Sequence, residues 1–117
     1  MIPPMRSVVI KRVYDKPAET DGTRILVDRL WPRGLSKRKA ALDGWNKEVA
    51  PSPALRKWFG HKPERFAEFR TRYRAELKGN PALQELRAVK GKLTLLYGAK
   101  DPQINQAVVL AAVLKRR

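Results

Sequence analysis

Two short segments of this sequence place charged and aromatic side chains directly after apolar runs. The first contains Asp28, Arg29, Trp31 and Arg33, which follow the apolar residues 25–27. Guanidinium groups bind carboxylates and phosphates through paired N–H donors, whereas a carboxylate can act as a base or bind a metal. Indole rings can stack on nucleic-acid bases. These residue types indicate an anion-binding site or a small catalytic site.

The second segment follows the apolar run 93–97 and adds Gly98 and Lys100. Gly98 lets a ligand approach the backbone closely, and a helix predicted to begin at residue 102 would add unpaired N–H groups. If both apolar runs are parallel strands, their carboxyl ends meet where ligands bind in open α/β sheets. We therefore predict one cleft. Its predicted ligand-binding residues are Arg29, Trp31, Arg33, Lys100, Asp101 and Asn105.

Most of these residues also have a simpler structural interpretation. Asp101 precedes a proline, so capping a helix explains it better than proton transfer does. Asp28 and Arg29 can pair with other residues to hold their loop, which is as good an explanation as ligand binding. Trp31 is more often a core residue than a stacking platform, and the lone His61 is a weak catalytic signal. Asp28 remains a weak candidate for a catalytic residue.

The net charge of the chain is +15, from 26 Lys and Arg against 11 Asp and Glu. A charge of this size predicts attraction to polyanions, so the candidate partners are phosphate, a nucleotide or a nucleic acid. The basic residues are spread along the chain and form no separate basic arm. A highly charged, solvated surface explains the charge equally well.

Several classes of chemistry are excluded by composition and motifs. The chain has no cysteine and one histidine, which excludes disulfides, thiolate nucleophiles and a multi-histidine metal site within one chain. It also lacks a Walker loop and the G-x-G-x-x-G, G-x-S-x-G and H-E-x-x-H motifs. We predict no metal and no cofactor, and no motif specifies a reaction.

The sequence carries no signal for a membrane. No stretch approaches the roughly 18 apolar residues of a membrane span, and residues 1–5 lack the apolar region of a signal peptide. We expect a cytoplasmic protein that folds as one α/β domain over residues 1–117.

The hydrophobic pattern predicts a small, mostly parallel sheet of about four strands flanked by helices. The predicted strands are 8–14, 24–30, a weak strand at 43–49, and 93–97. Continuous apolar runs are typical of strands covered on both faces, so 93–97 is expected to be a neighbour or near-neighbour of 24–30. The link between the first two strands is too short for a crossover. If those two lie side by side, they are expected to be antiparallel.

Four longer helices are predicted, and three of them begin at an oxygen-bearing residue followed by proline. The predicted helices are 53–59, 63–78, 81–90 and 102–116. Ser36 is expected to cap a short basic helix before residue 42. Within the core, we predict that Trp58 is buried with Phe66 and Phe69.

Several motifs identify a family resemblance. They are Arg12-Val13-Tyr14-Asp15, Val27-Asp28-Arg29-Leu30-Trp31-Pro32-Arg33-Gly34, Ala50-Pro51-Ser52, Leu55-Arg56-Lys57-Trp58-Phe59-Gly60-His61 and Leu95-Leu96-Tyr97-Gly98-Ala99-Lys100-Asp101. Over nearly its whole length the chain resembles the YeaO-like proteins, a bacterial family of unknown function (domain of unknown function family 488). The resemblance implies a small cytoplasmic α/β protein and supplies no catalytic residues.

Two details of the resemblance bear on chemistry. Family members can have asparagine where this chain has Asp101, which favours capping because asparagine cannot act as a base. A family pattern of asparagine, histidine and alanine stands here as Asn105-Gln106-Ala107. A mechanism that needs an imidazole at residue 106 therefore does not suit this chain.

Three functions remain open. The leading hypothesis is a module that binds a phosphate-bearing anion at the carboxyl ends of strands 24–30 and 93–97. The second is a small hydrolase or transferase in which Asp28 is the base or a metal ligand while Arg29 and Lys100 stabilise developing charge. The third is an interaction protein that meets a partner chain through exposed tryptophans, for which the candidates are Trp31, Trp45 and Trp58.

Overall fold

A computed structural model of the protein describes residues 7–115 and contains a four-stranded sheet with helices on both faces. The strands are β1 (Val8–Arg12), β2 (Thr23–Leu26), β3 (Gly44–Trp45) and β4 (Leu93–Tyr97). They lie in the order β1-β4-β2-β3, and every neighbouring pair is parallel. The predicted α/β class is confirmed, with an all-parallel sheet.

β4 is the strand that organises the sheet. It lies between β1 and β2, with Leu93 opposite both Val8 and Thr23, so β1 and β2 do not touch. The predicted neighbourhood of β2 and β4 is confirmed, and the condition for an antiparallel β1–β2 pair does not arise. All five residues of β4 are buried, which explains its largely apolar character; its polar residue, Thr94, donates its hydroxyl to the Asp21 carbonyl.

Three predicted strands are too long. β1 ends at Arg12 rather than residue 14. β2 ends at Leu26 rather than residue 30, because the polar residues after Val27 no longer pair with the neighbouring strand. The weak strand at 43–49 is reduced to β3, since a 3₁₀ turn at Lys47–Val49 follows it. Asn46 starts that turn by accepting a hydrogen bond from the Val49 N–H through its side chain.

The α-helices are α1 (Lys37–Ala40), α2 (Pro53–Phe59), α3 (Phe66–Lys78), α4 (Ala82–Arg87) and α5 (Gln106–Lys115). Two N-caps act as predicted: Ser36 Oγ accepts from the Lys39 N–H, and Ser52 Oγ accepts from the Leu55 N–H. α2 has its predicted bounds. The segment predicted as 63–78 begins with a 3₁₀ turn at Pro63–Arg65, and α4 is shorter than 81–90.

The predicted start of the last helix at residue 102 is wrong. Asp101 Oδ1 accepts hydrogen bonds from the N–H groups of Gln103 (2.8 Å) and Ile104 (3.2 Å), which forms a tight turn instead of a helix start. The cap of α5 is Asn105, whose Oδ1 accepts from the Val108 N–H at 3.1 Å. The predicted end at residue 116 lies outside the described residues.

Side chains alternate between two cores on opposite faces of the sheet. The larger core includes Ile25, Val27, Leu93 and Leu95 and is covered by α2, α3, α4 and α5. The smaller core contains Val13, Leu26, Ala40 and Leu96, with Trp31, Leu35 and Leu42 packed against it. The two cores together bury β4 on both faces, and removing this apolar surface from water stabilises the fold.

Trp58 is half-buried, so the prediction that it is buried is wrong. Phe69 is buried as predicted and stacks on Phe59 with ring centroids 4.2 Å apart, whereas Phe66 is half-buried. The Trp58 ring lies beside arginine instead: the guanidinium of Arg72 is 4.4 Å from its centroid. The indole therefore covers the edge of the larger core and makes a cation–π contact with Arg72.

A closed ionic network lies on the face of the sheet that α1 covers. Arg24 and Asp21 are 5% and 6% exposed, and Arg24 Nη1 donates to Asp21 Oδ2 at 2.5 Å. The other Arg24 nitrogens donate to the carbonyls of Ala40 (2.8 Å) and Ala41 (2.9 Å) at the end of α1. Lys11 Nζ lies 3.1 Å from both Asp21 carboxylate oxygens. We call Lys11, Asp21 and Arg24 the ion-pair network.

The network lowers the pKa of Asp21 to about 2. The largest cause is the hydrogen bond that the Ala18 N–H donates to the carboxylate, and the side chains of Lys11 and Arg24 contribute further. Burial acts in the opposite direction because it disfavours the charged form. The carboxylate is thus held in its ionised form as part of the scaffold.

Within residues 7–115, no helix combines the length and the apolar character that crossing a bilayer requires. The same described residues contain no group of three or more His, Asp or Glu arranged to hold a metal ion.

Candidate anion-binding pocket

A pocket of about 250 Å³ lies at the carboxyl ends of β1, β2 and β4, and we call it the strand-end pocket. Its polar lining includes Asp28, Arg29, Arg33, Arg56 and His61. Its apolar lining includes Leu30, Trp31, Phe59 and Phe69. Because the sheet is parallel, the loops that leave its strands at this edge supply much of the wall, as expected for an open α/β sheet.

Asp28 follows β2 in the sequence, and its side chain connects the end of β2 to the loop after β4. Its Oδ2 accepts a hydrogen bond from the Gly98 N–H at 2.8 Å, and its Oδ1 accepts one from the Gln106 side-chain amide at the start of α5. A Cβ atom at Gly98 would lie 2.9 Å from Asp28 Oδ2, so any other residue here would force the carboxylate to shift. Asp28 is therefore bound by neutral donors and not by arginine.

Burial raises the pKa of Asp28 above its ordinary value of 3.8. The hydrogen bonds from Gly98 and Gln106 oppose the effect, and the charges of His61 and Arg56 oppose it further. The carboxylate is thus less stable in its ionised form than a solvent-exposed one, although it faces a basic pocket.

Arg29 is half-buried and anchored to the segment before α2. Its Nε donates to the carbonyl of Pro51 and its Nη2 to the carbonyl of Ala50, each at 3.2 Å. A guanidinium has five N–H donors, so this anchoring leaves N–H groups for a ligand. Two of the donors are used to fix the orientation of the side chain, which reduces the entropy lost when a ligand binds.

Trp31 and Arg33 form another part of the wall. The Trp31 Nε1–H donates to the Leu35 carbonyl at 2.7 Å, and its ring meets Trp45 edge-on with centroids 5.4 Å apart. Arg33 is exposed, and its carbonyl accepts from the Tyr14 hydroxyl at 2.9 Å. Trp31 therefore lines the pocket and is also held in place by its packing and its hydrogen bond.

Arg56 and His61 line the pocket but were not among the predicted ligand residues. Arg56 lies on α2, and His61 follows Gly60 in the left-handed turn that ends this helix. The sequence signals the bounds of α2 correctly, through Ser52-Pro53 and Gly60. It contains no local signal that docks the end of α2 beside the end of β2, because that contact depends on tertiary packing.

Three predicted ligand residues lie outside the lining of the strand-end pocket: Lys100, Asp101 and Asn105. Lys100 and Asp101 are exposed, whereas Asn105 is fully buried and donates from Nδ2 to the Asp101 carbonyl at 2.8 Å. Asp101 and Asn105 build the turn before α5. They thereby place Gln106 against Asp28.

The electrostatics of the pocket favour an anion. Within the part of the chain that the structure describes, three arginines line it against the single carboxylate of Asp28, which already accepts two hydrogen bonds from the protein. Guanidinium forks match the geometry of phosphate and carboxylate oxygens. Arg29 is half-buried, so water screens its charge less than the charges of the exposed Arg33 and Arg56.

This fold and pocket define a class of small α/β protein: an all-parallel sheet with a basic pocket at its strand ends. Within that class, the chain belongs to the family described as "Inactive DUF488-N3 subclade", which it matches over residues 7–117. The YeaO-like resemblance is confirmed.

Relatives align along nearly the full chain. The uncharacterized protein YeaO of Escherichia coli (strain K12) is 48% identical over 113 residues, which cover 93% of this chain and 97% of the relative. The uncharacterized protein Rv3073c of Mycobacterium tuberculosis (strain ATCC 25618 / H37Rv) is 43% identical over 112 residues, covering 94% and 95%. No solved structure matches the chain at a significant level.

Proposed function

We propose that the strand-end pocket binds a phosphate-bearing anion, either a nucleotide or part of a nucleic acid, in the cytoplasm. The observation that carries the proposal is the convergence of Arg29, Arg33 and Arg56 on one pocket. They come from two distant parts of the chain, and among residues 7–115 no carboxylate forms an ion pair with them: Asp28 is held by Gly98 and Gln106. Three arginines left without an acid partner form a site for an external anion.

The geometry supports binding more directly than catalysis. Arg29 is fixed by two carbonyls, so it can orient a ligand, but among the described residues no serine, threonine or cysteine lines the pocket as a nucleophile. The family description, which includes the word "inactive", favours the same interpretation. Lys100 is exposed beside the loop that leaves β4 and remains a predicted contact for a larger ligand.

Titration calorimetry with phosphate, nucleotides and short RNA or DNA at several salt concentrations tests the proposal. Arg56→Ala is expected to weaken binding about 10- to 100-fold, because a hydrogen bond to a charged group contributes about 1.5–3 kcal/mol. Lys57→Ala is the matched control, since Lys57 is the next residue of α2 and does not line the pocket. The absence of binding at low salt, or equal effects of the two variants, would contradict the proposal.

A catalytic role for Asp28 is the second candidate, and the raised pKa of its carboxylate is the observation that favours it. A carboxylate with a raised pKa is a better base near neutral pH. Here Asp28 would accept a proton while Arg29 stabilises charge. Screening phosphoesters and nucleotides with wild type and Asp28→Asn tests this function. Equal turnover by the two proteins would remove Asp28 from the mechanism.

The third candidate is association through tryptophan, and it depends on Trp45, which is 37% exposed. Trp31 and Trp58 are half-buried and therefore less available. If Trp45 joins two copies of this chain, sedimentation velocity should show a concentration-dependent dimer that Trp45→Ala abolishes. Identical monomeric behaviour of both proteins would count against self-association.

A further inference from the structure

A second depression adjoins the strand-end pocket, and we call it the α1 groove. It is lined by residues 13–17, which follow β1, and by residues 35, 36, 38 and 39 around α1. Its charged side chains are Lys16, Arg38, Lys39 and Asp15. Three cations thus face one carboxylate, the same balance of charged side chains as in the strand-end pocket.

Tyr14 lines both depressions and is 42% exposed. Its hydroxyl donates to the Arg33 carbonyl at 2.9 Å, and the guanidinium of Arg12 lies 5.0 Å from its ring centroid. Arg12 is itself held by a hydrogen bond to the Ala99 carbonyl. The Tyr14 ring is therefore a positioned aromatic surface between two basic depressions.

We propose that the ligand is a single-stranded oligonucleotide whose backbone runs from the strand-end pocket past Tyr14 into the α1 groove. The inference rests on the proposed function, because it needs one phosphate in the strand-end pocket. A chain of regularly spaced phosphates satisfies two basic depressions at once, whereas a mononucleotide occupies only one. A base can stack against Tyr14 between them.

The shape of the site favours a single strand over a duplex. The strand-end pocket is a recess of about 250 Å³ with aromatic walls, and a flexible strand can insert a nucleotide into such a recess. In a duplex the bases remain stacked inside the helix, and its phosphates follow a regular rigid path. Basic grooves with aromatic surfaces are typical of proteins that bind single strands.

Fluorescence polarisation with thymidine monophosphate, oligothymidylates of increasing length and a blunt duplex tests the inference. Affinity is expected to rise with length until both depressions are filled. Lys39→Ala should then weaken oligonucleotide binding about fivefold and reduce the slope of log affinity against log salt by about 0.7, while mononucleotide binding stays unchanged. Lys37→Ala is the matched control, because Lys37 is an exposed residue of the same short helix and does not line the groove.

Each other outcome overturns a distinct statement. If the mononucleotide binds as tightly as every oligonucleotide, the extended path is wrong and the proposed function stands. If Lys37→Ala weakens oligonucleotide binding as much as Lys39→Ala, attraction is a property of the whole basic surface and the path is wrong. Equal affinity for the duplex also overturns it. If neither a mononucleotide nor an oligonucleotide binds at low salt, the proposed function itself fails.

Discussion

Arg24 and Arg29 lie five residues apart, one inside β2 and one just after it, yet their surroundings differ completely. Each nitrogen of the Arg24 guanidinium donates to an oxygen of the protein, in a network that also satisfies Asp21. Arg29 donates to two carbonyls and lines an open pocket. Across residues 7–115, the side chains of Arg33 and Arg56 in that same pocket donate no hydrogen bond to the protein.

The difference separates charge that builds the fold from charge that is available to a ligand. Burying Arg24 and Asp21 carries a large desolvation penalty, which only a complete set of partners offsets. Arg33 and Arg56 of the strand-end pocket are exposed in the free protein, so they can exchange water for a ligand anion. Variants of the two regions should therefore affect different measurements.

The largest effect is expected from Arg24→Met. This substitution leaves the Asp21 carboxylate buried with Lys11 as its remaining cationic partner, and breaking a buried pair from one side typically costs about 3–5 kcal/mol. Urea denaturation should show a loss of that order. Arg56→Met is the control and should change the free energy of unfolding by less than about 0.5 kcal/mol, because Arg56 is exposed. Similar losses in both variants would remove the distinction.

A smaller effect on stability is expected from Gly98→Ala, which acts where the pocket meets the scaffold. The new methyl group would lie 2.9 Å from Asp28 Oδ2, so the carboxylate or the loop must move, at a cost of about 1–3 kcal/mol. Ligand affinity should fall as well, because the lining of the pocket shifts. Urea denaturation and calorimetry measure the two effects.

Gly79→Ala is the control for that substitution. Gly79 has a φ of −106°, and a Cβ atom there would meet nothing within 4 Å. Stability should stay the same or rise by a few tenths of a kcal/mol, since alanine restricts the unfolded chain. If both variants are equally stable, the contact between Gly98 and Asp28 does not constrain the pocket.

The two regions should also respond to pH with opposite signs. The folded-state pKa of Asp21 is about 2 and its unfolded value is 3.8, so its stabilisation is complete above pH 3.8 and is lost as the pH falls toward 2. The pKa of Asp28 is raised, so its ionised form opposes folding at neutral pH. That unfavourable contribution disappears as the pH falls through the folded-state pKa and below 3.8.

Urea midpoints measured from neutral pH to pH 2 should separate these contributions. Asp21→Asn should flatten the loss of stability in acid, although the variant is less stable at neutral pH because its ion pairs are lost. Asp28→Asn should be more stable than wild type at neutral pH, and its advantage should vanish in acid. Parallel pH profiles for wild type and both variants would contradict the opposite signs of the two shifts.

Local patterns in the sequence were sufficient to predict the core of the sheet and several helix ends. The apolar runs 25–27 and 93–97 were recognisable because strands buried on both faces need no polar residues. Ser52-Pro53 and Gly60 specified α2 for a similar reason, since capping depends on adjacent residues. Asp101-Pro102 has the same composition as a helix start but forms a turn, because a short polar side chain caps either structure.

The candidate site was predicted only in part, because its geometry depends on how the elements pack. Arg29, Trp31 and Arg33 line the pocket and follow directly from the end of β2. The presence of Arg56 and His61 in the pocket depends on how α2 docks against the sheet, which no local sequence pattern encodes. The buried role of Arg24 was also missed, since an arginine at the start of a strand looks the same in sequence whether it is exposed or paired.

The smallest effect is expected at a third kind of charge, the exposed pair of Glu68 and Arg72 on α3. Their side chains are 54% and 51% exposed, so water screens the pair, and Glu68→Ala should change stability by less than about 0.5 kcal/mol. Arg72→Ala should cost slightly more, up to about 1 kcal/mol, because it also removes the guanidinium from the Trp58 ring. Thermal denaturation at low and high salt measures both variants. A Glu68→Ala loss approaching that of Arg24→Met would mean that ion pairing stabilises this fold irrespective of burial. The contrast between the buried, fully paired Arg24 and the arginines of the strand-end pocket would then have no energetic basis.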